Sequence, residues 1–233
     1  MAAAKPLQPT TSRGAVIWYH GFGVDKDTHR TELARFAEAG FTAIGVDVAG
    51  HGARRAPDLD ERMAGTQADA LHSVIEFAAP TAAELPHLFD WIMHRGIAEG
   101  NRIAIAGISM GAFVVYRAII EEPRVAAAVA ILGSPEWPAR AGGHVHVSPH
   151  LHAGQMCSAR LLSITGARDE NVPPGPAREL HATLDALHAP HHRYIEIPGA
   201  VHLMSAAHWE VTMNATTDWL KQWLPHEQQE AAS

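Results

Sequence analysis

The sequence predicts an α/β fold, with helices on both faces of a mostly parallel sheet of about six or seven strands. Short apolar runs alternate with stretches of helical period, the pattern of β and α units in turn. The runs are apolar throughout, as strands covered on both faces are. Chemically suggestive residues lie directly after these runs, where sites in open parallel sheets form.

Residues 1–13 carry Lys5, two prolines and a Thr-Thr-Ser run and read as a flexible leader without a signal-peptide core. A single domain is expected over 14–224. Ala15 to Tyr19 is its first strand and ends at His20-Gly21-Phe22-Gly23. Thr28 to Gly40 puts Leu33, Phe36 and Ala37 on one helical stripe, with Gly40 as the stop. Phe41 to Val46 is the next strand, followed by Asp47-Val48-Ala49-Gly50-His51-Gly52, and Ala53 to Gly65 lacks a period. Helical spacing runs from Thr66 to about Ala79, stops near Pro80 and resumes from Ala82 to Arg95. Asn101 to Ala106 and Val125 to Leu132 are strands around a helix from Ala112 to Ile120. Residues 134–158 hold prolines, paired glycines and four histidines, and read as a short lid insertion. Ala159 to Thr165 and Arg193 to Ile197 complete the strands, Pro173 to Leu187 and Ser205 to Leu224 the helices. Residues 225–233 are a polar, flexible tail.

A formal net charge of -7 argues against a nucleic-acid partner, which calls for a basic face. No apolar run reaches the length of a membrane span. Cys157 is the only cysteine, so an intramolecular disulfide is impossible and a reducing, cytoplasmic setting is expected. Monomer and homodimer both remain open.

The chain is organised around Gly107-Ile108-Ser109-Met110-Gly111, a G-x-S-x-G pentapeptide between a strand and a helix. In that setting Ser109 is a nucleophile on a sharp elbow or a helix cap. A serine nucleophile needs a base and a group that orients the base. Asp169 follows one strand and His202 the last, giving the order Ser109, Asp169, His202 that belongs to the elbow arrangement. Glu170 and His208 are the competing acid and base.

Four motifs together resemble the α/β-hydrolases, most closely the small dienelactone-hydrolase-like serine carboxylesterases. They are His20-Gly21-Phe22-Gly23, the Asp47 to Gly52 loop, the elbow, and Gly166-x-x-Asp169-x-x-Val172-Pro173 followed by Gly199-x-x-His202. The resemblance covers about Ala15 to Leu224. It implies that Ser109 attacks an ester carbonyl, His202 shuttles the proton and Asp169 fixes His202. It also implies an oxyanion hole from the backbone N–H groups of Phe22 and Met110. The leader is too short for the antiparallel hairpin of larger members, so the sheet is expected to be minimal at that edge.

No cofactor is implied, and the partner is a small-molecule ester. His144 and His146 share a face at strand spacing, but no cysteine or carboxylate accompanies them, so no metal is expected. Trp137, Met156 and Leu203, with Phe22, are candidates for an apolar acyl pocket or for core. His20 and His51 read as hydrogen-bonding residues that shape loops, and Arg54 and Arg55 as a solvated pair near the mouth. A thioesterase, peptidase or acyltransferase could use the same residues, and a non-catalytic binding protein the same fold.

Overall fold

The computed structural model describes residues 2–4, 12–138 and 147–226. Strand β1 (Ala2–Ala4) precedes β2 (Ala15–Tyr19), α1 (Arg30–Glu38) and β3 (Thr42–Val46). Helices α2 (Leu59–Met63), α3 (Gln67–Ala83) and α4 (Leu85–His94) lead to β4 (Ile103–Ile108), α5 (Met110–Glu121) and β5 (Ala128–Ile131). Then come α6 (Ala153–Met156), β6 (Leu161–Gly166), α7 (Gly175–Ala186), β7 (His192–Ile197) and α8 (Ala206–Trp223).

The strands form one seven-stranded sheet in the order β1-β3-β2-β4-β5-β6-β7. Neighbours from β3 to β7 run parallel, and β1 lies antiparallel on β3, with Ala2 opposite Gly45 and Ala4 opposite Ala43. The short leader predicts a sheet minimal at that edge, and β1 corrects this by adding an antiparallel edge strand. A run of alanines has no strand signature, yet its backbone groups pair as well as those of valine.

Side chains alternate between the two faces of the sheet. Ile17, Tyr19, Ile103 and Ile105 join Phe77, Phe89 and Phe113 from α3, α4 and α5 in one core layer. Val16, Trp18, Ala104 and Ala106 join Phe36 of α1 and Trp219 and Leu220 of α8 in the other. Both faces are covered, which is why the strands read as unbroken apolar runs.

Two local expectations differ. Helix α3 runs through Pro80 rather than stopping before it. Proline costs most in mid-helix, but here it falls in the last turn. Thr81 Oγ1 donates to the Phe77 carbonyl at 2.8 Å, and the Glu84 N–H still closes onto the Pro80 carbonyl at 3.2 Å. The supposedly irregular stretch 53–65 holds the short helix α2, whose Leu59 is buried.

Candidate active site

Strand β4 becomes helix α5 within the central pentapeptide, and Ser109 occupies the N-cap with φ 52° and ψ −117°. A side-chain-bearing residue held in such a conformation costs about 1–3 kcal/mol and persists only where its surroundings enforce it. Here they do. The Ser109 N–H donates to Ile131 on β5 at 2.8 Å, and its carbonyl accepts from Ala112 at 2.8 Å and Phe113 at 3.2 Å. The turn is so tight that a Cβ on Gly107 would lie 2.4 Å from the Gly111 carbonyl oxygen. One on Gly111 would lie 2.2 Å from the Tyr19 carbonyl oxygen.

The loops after β6 and β7 meet this elbow. Ser109 Oγ lies 3.0 Å from His202 Nε2, and His202 Nδ1 lies 2.7 Å from Asp169 Oδ2. The other carboxylate oxygen, Oδ1, accepts from the Asn171 N–H at 3.0 Å and the Val172 N–H at 2.9 Å. With its side chain fully buried and acceptor-only when ionised, Asp169 requires the proton on His202 Nδ1. Nε2 is thereby left to accept from the serine hydroxyl. Backbone bonds from Arg168 to Ala200 (2.8 Å) and from Ala167 to Ile197 (3.1 Å) tie the two loops to each other. Acid and base thus move as one piece.

The loop after β2 approaches from the other side, near enough that a Cβ on Gly21 would stand 3.7 Å from the Ser109 Cβ. Buried His20 holds this loop: Nδ1–H donates to Gly21 at 2.7 Å, and Nε2 accepts from the Val48 N–H at 3.0 Å. Burial pushes the His20 pKa down to about 4, so the ring is neutral and can accept. His51 repeats the arrangement, accepting from the Gly23 N–H at 3.0 Å and donating to Ala49 at 3.1 Å. Burial lowers its pKa too. Asp47 accepts from the Lys26 N–H and ammonium, both at 3.0 Å, and from the Ala53 N–H at 3.1 Å. Burial would raise its pKa, and these bonds outweigh it and hold the carboxyl below its ordinary range.

A cavity of about 480 Å³ opens beside Ser109 and His202. Its walls are mainly apolar, from Phe22, Leu71, Val74, Phe113, Val172 and Leu203. His29, Gln67 and Asn171 add polar edges. A neutral, uncharged small ligand suits such a lining.

The sequence matches the model of the dienelactone hydrolase family over residues 2–223. The chain belongs to that family. YitV of Bacillus subtilis (strain 168) is 32% identical over 123 residues, which are 52% of this chain and 45% of that protein. Esterase YjfP of Escherichia coli (strain K12) is 28% identical over 127 residues, 54% of this chain and 48% of that one. The chain thus spans about half the length of these two curated relatives. Among solved structures, a puromycin-hydrolyzing peptidase of Mycobacterium tuberculosis superposes with a TM-score of 0.72 at 20% identity. That match takes in 97% of this chain and 37% of the peptidase. The shared architecture is the α/β-hydrolase fold.

In this dienelactone hydrolase family protein, Ser109, His202 and Asp169 come together, as do the Phe22 and Met110 segments beside the serine. Leu203 lines the cavity and is 85% exposed. Trp137 and Met156 do not line it. Both are buried in the core: Trp137 lies nearly parallel to Phe113, 6.5 Å between centroids, and its backbone N–H is held by Ser148 Oγ at 2.6 Å. Glu170 is exposed, and His208 sits in the first turn of α8, where its N–H caps onto Ser205 Oγ. Arg54 pairs with Glu84 at 2.6 Å and Arg55 with Asp60 at 2.6 Å, neither lining the cavity. His144 and His146 lie outside the described residues. Among the described residues no cluster of three or more His, Cys, Asp or Glu side chains could hold a metal, and no helix is long and apolar enough to cross a membrane.

The sequence pattern missed Gln67, Ala70, Leu71 and Val74 as wall residues. Their spacing of three, one and three places them on one face of α3, a stripe indistinguishable in sequence from core. It missed the two N–H groups on Asp169 because any residue supplies a backbone donor.

Proposed function

We propose that this protein is a serine carboxylesterase acting on small acyl esters through an acyl-enzyme intermediate. The single observation that carries the proposal is the hydrogen-bonded series from Ser109 through His202 to buried Asp169, opening on an apolar cavity. In the proposed reaction Ser109 Oγ forms a bond to the ester carbonyl carbon as its proton passes to His202 Nε2. The oxyanion takes the N–H of Met110, unpaired at the start of α5, and the N–H of Phe22. Collapse breaks the bond to the alkoxide, which receives the proton from His202. Water then attacks the acyl carbon with His202 again as base, releasing the carboxylic acid and restoring Ser109. Asp169 stabilises the imidazolium in both halves.

Family membership and the esterase name of YjfP support ester cleavage. The peptidase that shares the fold is the reason to test amides as well. The test is a panel of p-nitrophenyl esters, acyl-CoA thioesters and aminoacyl amides, combined with fluorophosphonate labelling and peptide mapping. The expected result is turnover of short esters and label on Ser109, both absent in Ser109→Ala. Preference for thioesters or amides would transfer the assignment to a thioesterase or peptidase. No label and no turnover in folded protein would leave a binding protein on this fold.

A further inference from the structure

The cover of the cavity was expected from residues 134–158, yet none of the described residues of that segment lines it. The wall comes instead from the first half of α3, through Gln67, Ala70, Leu71 and Val74. Burial rises along this half. Gln67 is exposed, Ala70 and Leu71 are half-buried, and Ser73, Val74 and Ile75 are buried. The first two turns therefore overhang the cavity, while the remainder is seated in the core with Phe77 and Ala78. Helix α3 starts here because Thr66 and Asp69 form a reciprocal capping box.

The Gln67 side chain ties this end of α3 to a neighbouring loop of the cavity. Gln67 Nε2 donates to the Glu170 carbonyl at 2.9 Å and to the Asn171 carbonyl at 3.2 Å. Both partners are acceptors, so the amide is oriented with its nitrogen toward them and both of its N–H groups are used. Glu170 and Asn171 belong to the loop that carries Asp169, and the Asn171 N–H is itself bound to Asp169 Oδ1. Gln67 thus fastens the first turn of α3 to the loop that carries Asp169, whose Asn171 and Val172 line the same cavity.

We propose that the first two turns of α3 set the acyl-chain selectivity of this site, and that Gln67 is the positioning residue that holds them closed against the Asp169 loop. Such selectivity presupposes ester hydrolysis at Ser109, the function proposed for this site. With the latch closed, the length of the acyl chain is bounded by Ala70, Leu71 and Val74. Released, the least buried turns of α3 swing outward and admit longer chains. Ala70 has the smallest side chain on that face, so an aromatic ring there fills the cavity at its covered end.

The test is kcat and KM for p-nitrophenyl acetate, butyrate, hexanoate and octanoate, measured on the full chain and three variants. Gln67→Leu keeps the size of the side chain and removes both donors. It is expected to raise the octanoate-to-butyrate ratio of kcat/KM about tenfold, chiefly through a lower KM for octanoate. Gln67→Lys restores a donor to the same carbonyls and is expected to return the ratio to within about twofold of the parent. Ala70→Phe is expected to lower the same ratio about tenfold or more. Fluorophosphonate labelling of Ser109 is followed in each variant. A parent that is neither labelled nor active overturns the esterase function itself. A labelled, active parent whose ratio is unmoved by Gln67→Leu and Ala70→Phe overturns the α3 proposal alone, as does a Gln67→Lys variant that behaves like Gln67→Leu. Should Gln67→Leu fail to fold, Ala70→Phe decides by the same ratio.

Discussion

Acidification from pH 7.5 to pH 5 is expected to destabilise the fold chiefly through two buried imidazoles far apart in the molecule, with buried His51, also lowered by burial, acting in the same direction. His20 is fully buried beneath the β2 loop, and His181 of α7 is 3% exposed. Burial pushes the first down to about 4, and burial with repulsion from His192 pushes the second down to about 3. The hydrogen bonds explain why neither ring tolerates a second proton. Tyr116 O–H donates to Ser163 Oγ at 2.8 Å, and Ser163 in turn donates to His181 Nε2 at 2.8 Å. His181 Nδ1–H then donates to His192 Nδ1 at 2.9 Å. Protonating His181 would put two donors face to face at Nε2.

Because both folded pKa values lie below the unfolded value of about 6.5, the unfolded chain binds more protons throughout the interval between them. Stability is therefore fully present above about pH 6.5 and is lost as pH falls toward 4 and 3. At pH 5 each group has given up about 2 kcal/mol, or about 4 kcal/mol together, against a typical total of about 5–15 kcal/mol. Carboxylates contribute little in this window, since their unfolded pKa values lie near 4. Equilibrium urea unfolding followed by tryptophan fluorescence measures the difference directly. The midpoint is expected to fall markedly by pH 5, and His181→Gln is expected to flatten the pH dependence substantially, leaving the share of His20 and His51. A midpoint independent of pH between 7.5 and 5 would refute the assignment of these rings as buried and neutral.

Three further outcomes follow from the site. Asp169→Asn is expected to lower kcat about 10,000-fold with little change in KM: the Asn171 and Val172 N–H groups claim its carbonyl oxygen, so its NH2 faces His202 and forces the wrong tautomer. Full retention of rate would remove Asp169 from the mechanism. Gly111→Ala drives a Cβ into the Tyr19 backbone; a loss of about 1–3 kcal/mol, seen as a fall in Tm, is expected together with loss of fluorophosphonate labelling. An unchanged Tm would mean the elbow is looser than its geometry. His202→Ala is expected to abolish ester turnover while His208→Ala keeps most of it, and steady-state kinetics with the reverse result would exchange the two roles.

The parts of the fold that were legible are those in which one local rule decides. Strands such as Ala15–Tyr19 announce themselves because both faces are buried, and the elbow does so because Gly107 and Gly111 answer a steric demand that no other residue meets. The residues that escaped are those whose role is set by a distant neighbour. Ala2–Ala4 becomes a strand only through the edge of β3, and Trp137 is core because Phe113 and Ser148 take it there. Pro80 ends nothing because it falls where the helix was about to close.

The same distinction separates chemistry from selectivity in this protein. The groups proposed to react follow strand ends whose positions the parallel register fixes, with β4 and β6 each hydrogen-bonded to β5 between them. Small changes elsewhere in the chain leave that register alone, since shifting it would turn buried side chains to the wrong face. The first turns of α3 in the cavity wall are less deeply seated than the strands. They are held by a capping box, by two hydrogen bonds from one exposed glutamine and by the packing of Leu71 and Val74 on the core. Each bond of that kind contributes about 0.5–1.5 kcal/mol, comparable to the energy that separates neighbouring acyl chain lengths in an apolar pocket, about 1–3 kcal/mol per methylene. On the proposed ester hydrolysis, a substitution in the first turns of α3 is therefore expected to change which acyl group is accepted while Ser109, His202 and Asp169 stay in place.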